Sequence, residues 1–233
     1  MIVRDRGDDW QVVFQTDHAD LSGAFARVWA DRGSRHGSLA LAAGRHDDGW
    51  AVWERAPMVD AETGTPVNFL DVGIPSHLAF YRACIAAVTE QDAYAGLLVS
   101  MHGAGIYRER YGLDPGLGLA RAEEHKELVD AFVEEQEAKF GGDPGEHRND
   151  YELLQLYDRL SLYFCMRDVE RGEEAELQDF RLEPLGSWRV RLEPFPFRER
   201  PARFRLARRL VPKDGKPEIL ALPVERVEIA VEP

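Results

Sequence analysis

Tyr151-Glu-Leu-Leu-Gln-Leu-Tyr-Asp158-Arg-Leu-Ser-Leu-Tyr-Phe-Cys165 is an apolar run with one carboxylate at its centre. Its apolar residues recur at helical rather than alternating spacing, which predicts a last long helix over about Glu146–Asp168. On that helix Asp158 stacks with Leu154, Ser161, Leu162 and Cys165, so its face points inward. A buried carboxylate without a partner costs several kcal/mol or is forced to take a proton. A metal ion, an arginine or a histidine must therefore meet Asp158.

Reading back towards the N-terminus, the period stays near 3.6 as far as residue 16. It predicts an acidic amphipathic helix over Leu119–Phe140 and a strongly apolar, central one over Asp92–Gly103. Three more follow over Ser76–Thr89, Ser34–Asp48 and Thr16–Asp31, the last with Thr16 and Asp17 as N-caps. The two ends read differently. Ile2–Arg4 and Trp10–Gln15 flank the turn residues Gly7-Asp8-Asp9, and from Arg181 onward Trp188–Leu192, Arg203–Leu210, Glu218–Leu222 and Arg226–Val231 are strand-like. The expected fold is therefore α+β and mainly helical: a bundle over residues 16–170, with an antiparallel sheet from residues 1–15 and 181–233 packed on it.

Composition limits the partners. The chain has 233 residues, 44% of them apolar, enough for a sizeable core. Its 29 Lys and Arg stand against 42 Asp and Glu, a net charge of −13. Neither a nucleic acid nor an anionic membrane is the expected partner, because both need a cationic footprint. Residues 181–214 run against this balance, with 10 basic and 4 acidic side chains. The N-terminus lacks an apolar signal core and no stretch is apolar enough to cross a bilayer, so a cytoplasmic location is expected. A small-molecule substrate is the expected partner, with a homodimer left open.

The histidines stand at informative places. His18 opens the first helix, His46-Asp47 closes the second, His77 begins the third and His102 ends the fourth. With Asp158 they form the order His18, His46-Asp47, His77, His102, Asp158, separated by 28, 31, 25 and 56 residues. This order resembles the HD-domain superfamily of all-helical metal-dependent phosphohydrolases, and within it the two-metal H…HD…H…H…D branch. The whole chain also resembles an uncharacterised bacterial family marked by its HDDGW and LYDRLSLYFC runs.

The resemblance implies an HD-like helical bundle. By residue, it makes His18, His46, Asp47 and Asp158 ligands of one metal, with His77 and His102 completing a second site bridged by Asp47. Mixed imidazole and carboxylate donors suit one or two Fe, Mn or Zn ions better than Mg or Ca. Asp47 and Asp158 become the catalytic carboxylates. Many two-metal members carry a lysine three residues after the HD pair; here the run is His46-Asp47-Asp48-Gly49-Trp50. Trp50, Arg45 beside the pair, Tyr107 after the Gly103 turn and Arg159 beside Asp158 are the candidate substrate contacts. The leading functional expectation is a metal-dependent hydrolase of a small phosphoester. A mixed-valent di-iron oxygenase acting on a small polyol or phosphonate shares the ligand set. A non-catalytic binding module using the Arg-rich strands is the third reading.

Overall fold

The computed structural model describes residues 1–30, 33–113, 120–214 and 218–233. Two strands open the chain, β1 (Ile2–Asp5) and β2 (Asp9–Val13). Helices α1 (Gln15–Val28), α2 (His36–Arg45), α3 (Ala51–Glu54), α4 (Ile74–Gln91), α5 (Ala93–Gly105), α6 (Ala120–Glu124), α7 (Lys126–Glu137) and α8 (Arg148–Met166) follow. Strands β3 (Ala175–Leu177), β4 (Phe180–Gly186), β5 (Arg189–Glu193), β6 (Ala202–Pro212) and β7 (Glu225–Glu232) complete it.

The strands form one seven-stranded sheet, in the order β1-β2-β6-β7-β5-β4-β3. This corrects the expected architecture in two ways. First, the sheet is mixed, because β7 lies antiparallel to β6 but parallel to β5, pairing Arg189 with Ala230 and Arg191 with Glu232. Second, it is no accessory to an HD-like helical bundle. The eleven-residue β6 pairs with β7 over Ala202–Arg208 and with β2 over Arg209–Pro212, so one strand joins the N- and C-terminal halves and the sheet curls around it. Helices α1 and α8 pack into that curl. Phe25 of α1 meets Phe204 of β6 at 4.6 Å and Phe164 of α8 at 6.0 Å between ring centroids. Trp29 packs edge-on against Tyr157, Phe180 and Phe197. Aromatic side chains from the strand-rich third thus fill space that a bundle would fill with its own helices, and one apolar core runs from Ile2 to Val231. Glu218–Leu222, expected as a strand, holds a 3-10 turn over Ile219–Ala221.

Within this frame the helical expectations are met closely. Asp92 caps α5, its carboxylate accepting from the Ala95 N–H at 2.9 Å. The expected Leu119–Phe140 helix is two helices broken at His125, α6 and α7; Leu119 itself lies outside the described residues.

Helix α1 is capped from a distance. Its N-cap residue, Phe14, has no capping side chain. Instead the buried Glu54 carboxylate accepts from the Gln15 N–H and from the Thr16 hydroxyl at 2.9 Å. Burial pushes the Glu54 carboxyl up to about 7 from its ordinary 4.5. A folded-state value above the unfolded one gives a contribution fully present below pH 4.5 and lost as pH rises through 7. Between those limits the wild type should lose up to about 3 kcal/mol relative to Glu54→Gln. Urea denaturation of both proteins across this range reads the difference; parallel curves would refute it.

Candidate metal centre

Helices α1 and α2 cross at two glycines. A methyl group built on Gly23 would sit 2.6 Å from the Gly44 Cα, so only glycine lets the two backbones approach this closely. The crossing brings His18 from α1 beside His46 and Asp47 at the end of α2. Asp158 reaches the same point from α8, and all four side chains are buried, none more than 3% exposed.

Hydrogen bonds behind the imidazoles decide what they present. His46 Nδ1–H donates to the Ala43 carbonyl at 2.8 Å. The Ser161 hydroxyl donates to the Asp158 backbone carbonyl at 2.7 Å, so its single proton is committed. It therefore accepts from His18 Nδ1–H, also at 2.7 Å. Each neutral imidazole thus carries its proton on Nδ1 and turns a lone pair at Nε2 to the centre, the arrangement that metal-ligating histidines share.

Four electron-pair donors now face one another. His18 Nε2 lies 3.2 Å from both His46 Nε2 and Asp47 Oδ2, and 3.6 Å from Asp158 Oδ1. His46 Nε2 lies 3.7 Å from Asp47 Oδ2 and 3.5 Å from Asp158 Oδ1. Burial alone would raise both carboxyls, but His46 and His18 hold Asp47, and Arg110 and His46 hold Asp158, well below the usual range. Burial disfavours charge on His46 too, yet Asp47 and Asp158 outweigh it and raise its value to about 9. The cluster therefore calls for a positive charge, either a proton or a metal ion.

The spacings also suit the ion: the shortest, from His18 Nε2 to Asp47 Oδ2 and to His46 Nε2, is 3.2 Å. Four ligands at about 2.0–2.2 Å from one ion, placed tetrahedrally, lie about 3.3–3.6 Å apart. His18, His46 and Asp47 lie close to this spacing, at 3.2, 3.2 and 3.7 Å, and form one group that could hold an ion; His46, His102 and Asp158 form a second, so the residues fit a divalent ion with imidazole and carboxylate donors.

The outer oxygens are also engaged. Tyr81 donates its hydroxyl to Asp47 Oδ1 at 2.8 Å, and Arg110 Nη1 donates to Asp158 Oδ2 at 2.9 Å. The arginine expected as one alternative partner of Asp158 is thus present, but it takes one oxygen and leaves the other to the cluster. A cavity of about 40 Å³ opens over the centre, room for an ion and two or three waters at about 10–15 Å³ each. Its rim is apolar, with Phe69, Leu70, Ile74, Ile106 and Leu162.

Of the other sequence candidates, His77 and His102 line this cavity. His102 groups with His46 and Asp158 closely enough to share an ion. Its Nδ1 accepts from Gln155 Nε2 at 3.0 Å, and burial with the nearby His46 lowers its value to about 3. His77 stands apart from both groups of converging ligand atoms; it bonds the Tyr107 hydroxyl at 2.6 Å. Tyr107 therefore reaches the cavity only through His77. Trp50 is buried behind His77, ring centroids 5.5 Å apart. Arg45 is exposed and pairs with Asp48 at 2.7 Å, away from the cavity. Arg159 lines a neighbouring groove that meets the cavity at Arg110 and Leu162.

Several residues of the site escaped the sequence reading. Gln155 sits three residues before Asp158 and Tyr81 four beyond His77, so helical spacing marked them; Ser161, expected beside Asp158, adds the acceptor for His18 Nδ1–H. Gln15 lines the cavity one turn before His18, and its Oε1 has no hydrogen-bond partner. Arg110 had no such signal. It is held by three consecutive left-handed residues, Glu109, Arg110 and Tyr111, with φ of 50°, 48° and 53°. Each costs about 1–2 kcal/mol for a side chain with a Cβ, strain of the kind found where a side chain is forced into a site. The Arg-rich strands, by contrast, carry their own counter-charges: Arg191 pairs with Glu183, Arg203 with Glu228 and Arg189 with Glu232, all at 2.6–2.7 Å.

Among the described residues no helix is long and apolar enough to cross a membrane. No curated protein and no solved structure matches the chain. A family model described as a protein of unknown function, DUF3891, matches residues 1–213, and the chain belongs to that family.

Proposed function

We propose that the protein is a metal-dependent hydrolase of a small phosphoester, working with a divalent transition-metal ion held by His18, His46, Asp47 and Asp158. The observation that carries this reading is the convergence of buried imidazole and carboxylate groups in two overlapping trios, His18-His46-Asp47 and His46-His102-Asp158, with the His18 and His46 imidazoles turned by their Nδ1 partners. A divalent ion supplies Lewis acidity there and lowers the pKa of a coordinated water.

The chain's own groups do the rest. Arg110 and Tyr81 each hold one carboxylate oxygen and aim the other inward, which fixes the ligands before substrate arrives. The guanidinium also places a fixed positive charge in the cavity wall, where an anionic group would approach. The apolar rim excludes water from the mouth and suits a small, partly apolar leaving group. The compensated charge of the strands gives the binding-module reading no comparable support.

Hydrolysis of p-nitrophenyl phosphate tests the proposal. The chain loaded with Zn or Mn should turn it over, and a chelator should abolish the activity. A loaded chain that does not hydrolyse phosphoesters would refute it. Two irons per chain with a mixed-valent EPR signal would place the chemistry with oxygen instead.

A further inference from the structure

We infer that Gln155, clamped by Arg110, fixes His102 as a hydrogen-bond donor to an oxyanion in the cavity rather than as a ligand of a second metal ion. The inference rests on the hydrolase reading for the identity of that oxyanion, a phosphoryl group, but not for the state of the ring.

Arginine has donors only, so the oxygen of Gln155 is the atom that faces Arg110, and Arg110 Nη1 donates to Gln155 Oε1. The amide nitrogen of Gln155 therefore faces His102, and as a donor it requires a lone pair on His102 Nδ1, 3.0 Å away. A neutral imidazole with its lone pair on Nδ1 carries its proton on Nε2. This is the reverse of His18 and His46, whose Nδ1 atoms donate and whose Nε2 atoms are bare.

His102 Nε2–H is left poorly satisfied. Its hydrogen-bond partner is the Tyr81 hydroxyl, at 3.5 Å, the outer limit of a hydrogen bond. A buried donor that lines a cavity and lacks a good acceptor is completed by a ligand acceptor. An oxyanion between the metal ligands and His102 supplies one. Arg110 then has two linked tasks: it holds Asp158 for the cation, and through Gln155 it sets the ring that meets the anion. Gln155 is the positioning residue of this pair.

The test uses the full chain, ¹⁵N-labelled at histidine, with zinc and inorganic phosphate as probes. Long-range ¹⁵N–¹H spectra should show His102 with a bare Nδ1 and a protonated Nε2. Zinc should bind with one ion per chain. His102→Phe should keep that stoichiometry and weaken phosphate about tenfold or more, as expected for losing a hydrogen bond to a charged group. Gln155→Glu, whose carboxylate accepts from Nδ1–H, should invert the ring, remove the Nε2–H donor and weaken phosphate as His102→Phe does. Two zinc ions on the wild type with His102 coordinated would overturn the inference, as would a protonated Nδ1 or unchanged phosphate affinity in His102→Phe. If the chain binds no zinc, the hydrolase reading falls. The ring state and the phosphate titration of the zinc-free chain then decide the inference alone.

Discussion

Asp47→Asn is expected to remove metal binding while leaving the fold intact. Asn keeps the shape of Asp and still offers Oδ1 to the Tyr81 hydroxyl, so that 2.8 Å bond survives. What changes is the atom facing the imidazoles. An NH₂ replaces Oδ2 at the point 3.2 Å from His18 Nε2, a donor to the imidazole lone pair in place of a charged metal ligand. The metal-free variant should therefore keep its fold. Zinc affinity should fall by more than the ~10- to 100-fold cost of losing an outer-shell partner. Thermal unfolding with and without zinc reads both effects: zinc should raise the midpoint of the wild type and not that of the variant. A variant that unfolds without zinc, or one that zinc still stabilises, would show that Asp47 serves the core and not an ion.

Gly23→Ala is the second change with a large expected effect, and it acts without touching a ligand. Its Cβ would meet the Gly44 Cα at 2.6 Å and the Gly44 nitrogen at 2.9 Å, both backbone atoms that cannot rotate away. Helices α1 and α2 must separate, and His18 leaves His46 and Asp47 as they do. Overpacking of this kind costs about 1–3 kcal/mol. Zinc affinity should fall with stability, because the crossing that packs the core also assembles the centre. Gly37→Ala is the control: Gly37 lies in the same helix α2 as Gly44, and nothing stands within 4 Å of its Cβ. That variant should keep wild-type stability and zinc affinity. Equal behaviour of the two variants would contradict this coupling of crossing and centre.

These predictions show which parts of the molecule were legible in the chain. The positions of α1, α2, α4, α5 and α8 followed from apolar periodicity, and α5 proved as central as its composition implied. Asp158 was legible for the same reason, as one carboxylate on an otherwise apolar face. Its convergence with His18, His46 and Asp47 rested on their order along the chain. The sheet was only half legible. Alternation marked β1, β2, β5, β6 and β7 as strands, but the parallel pairing of β5 with β7 is a long-range choice that local pattern does not encode. The same holds for Phe180, Phe197 and Phe204, of which only Phe204 falls in an expected strand, and which pack against Phe25 and Trp29. That packing is why a bundle with an accessory sheet gave way to one continuous core. Arg110 was hidden for a different reason: its place in the cavity depends on a left-handed turn of non-glycine residues, which no residue preference favours.

Anomalous diffraction at the zinc edge, from crystals of the full chain grown with zinc, tests the central claim most directly. The expected result is a peak at about 2.0–2.2 Å from each of His18 Nε2, His46 Nε2, Asp47 Oδ2 and Asp158 Oδ1. A map with no peak among those four atoms, while zinc is bound elsewhere or not at all, would contradict it.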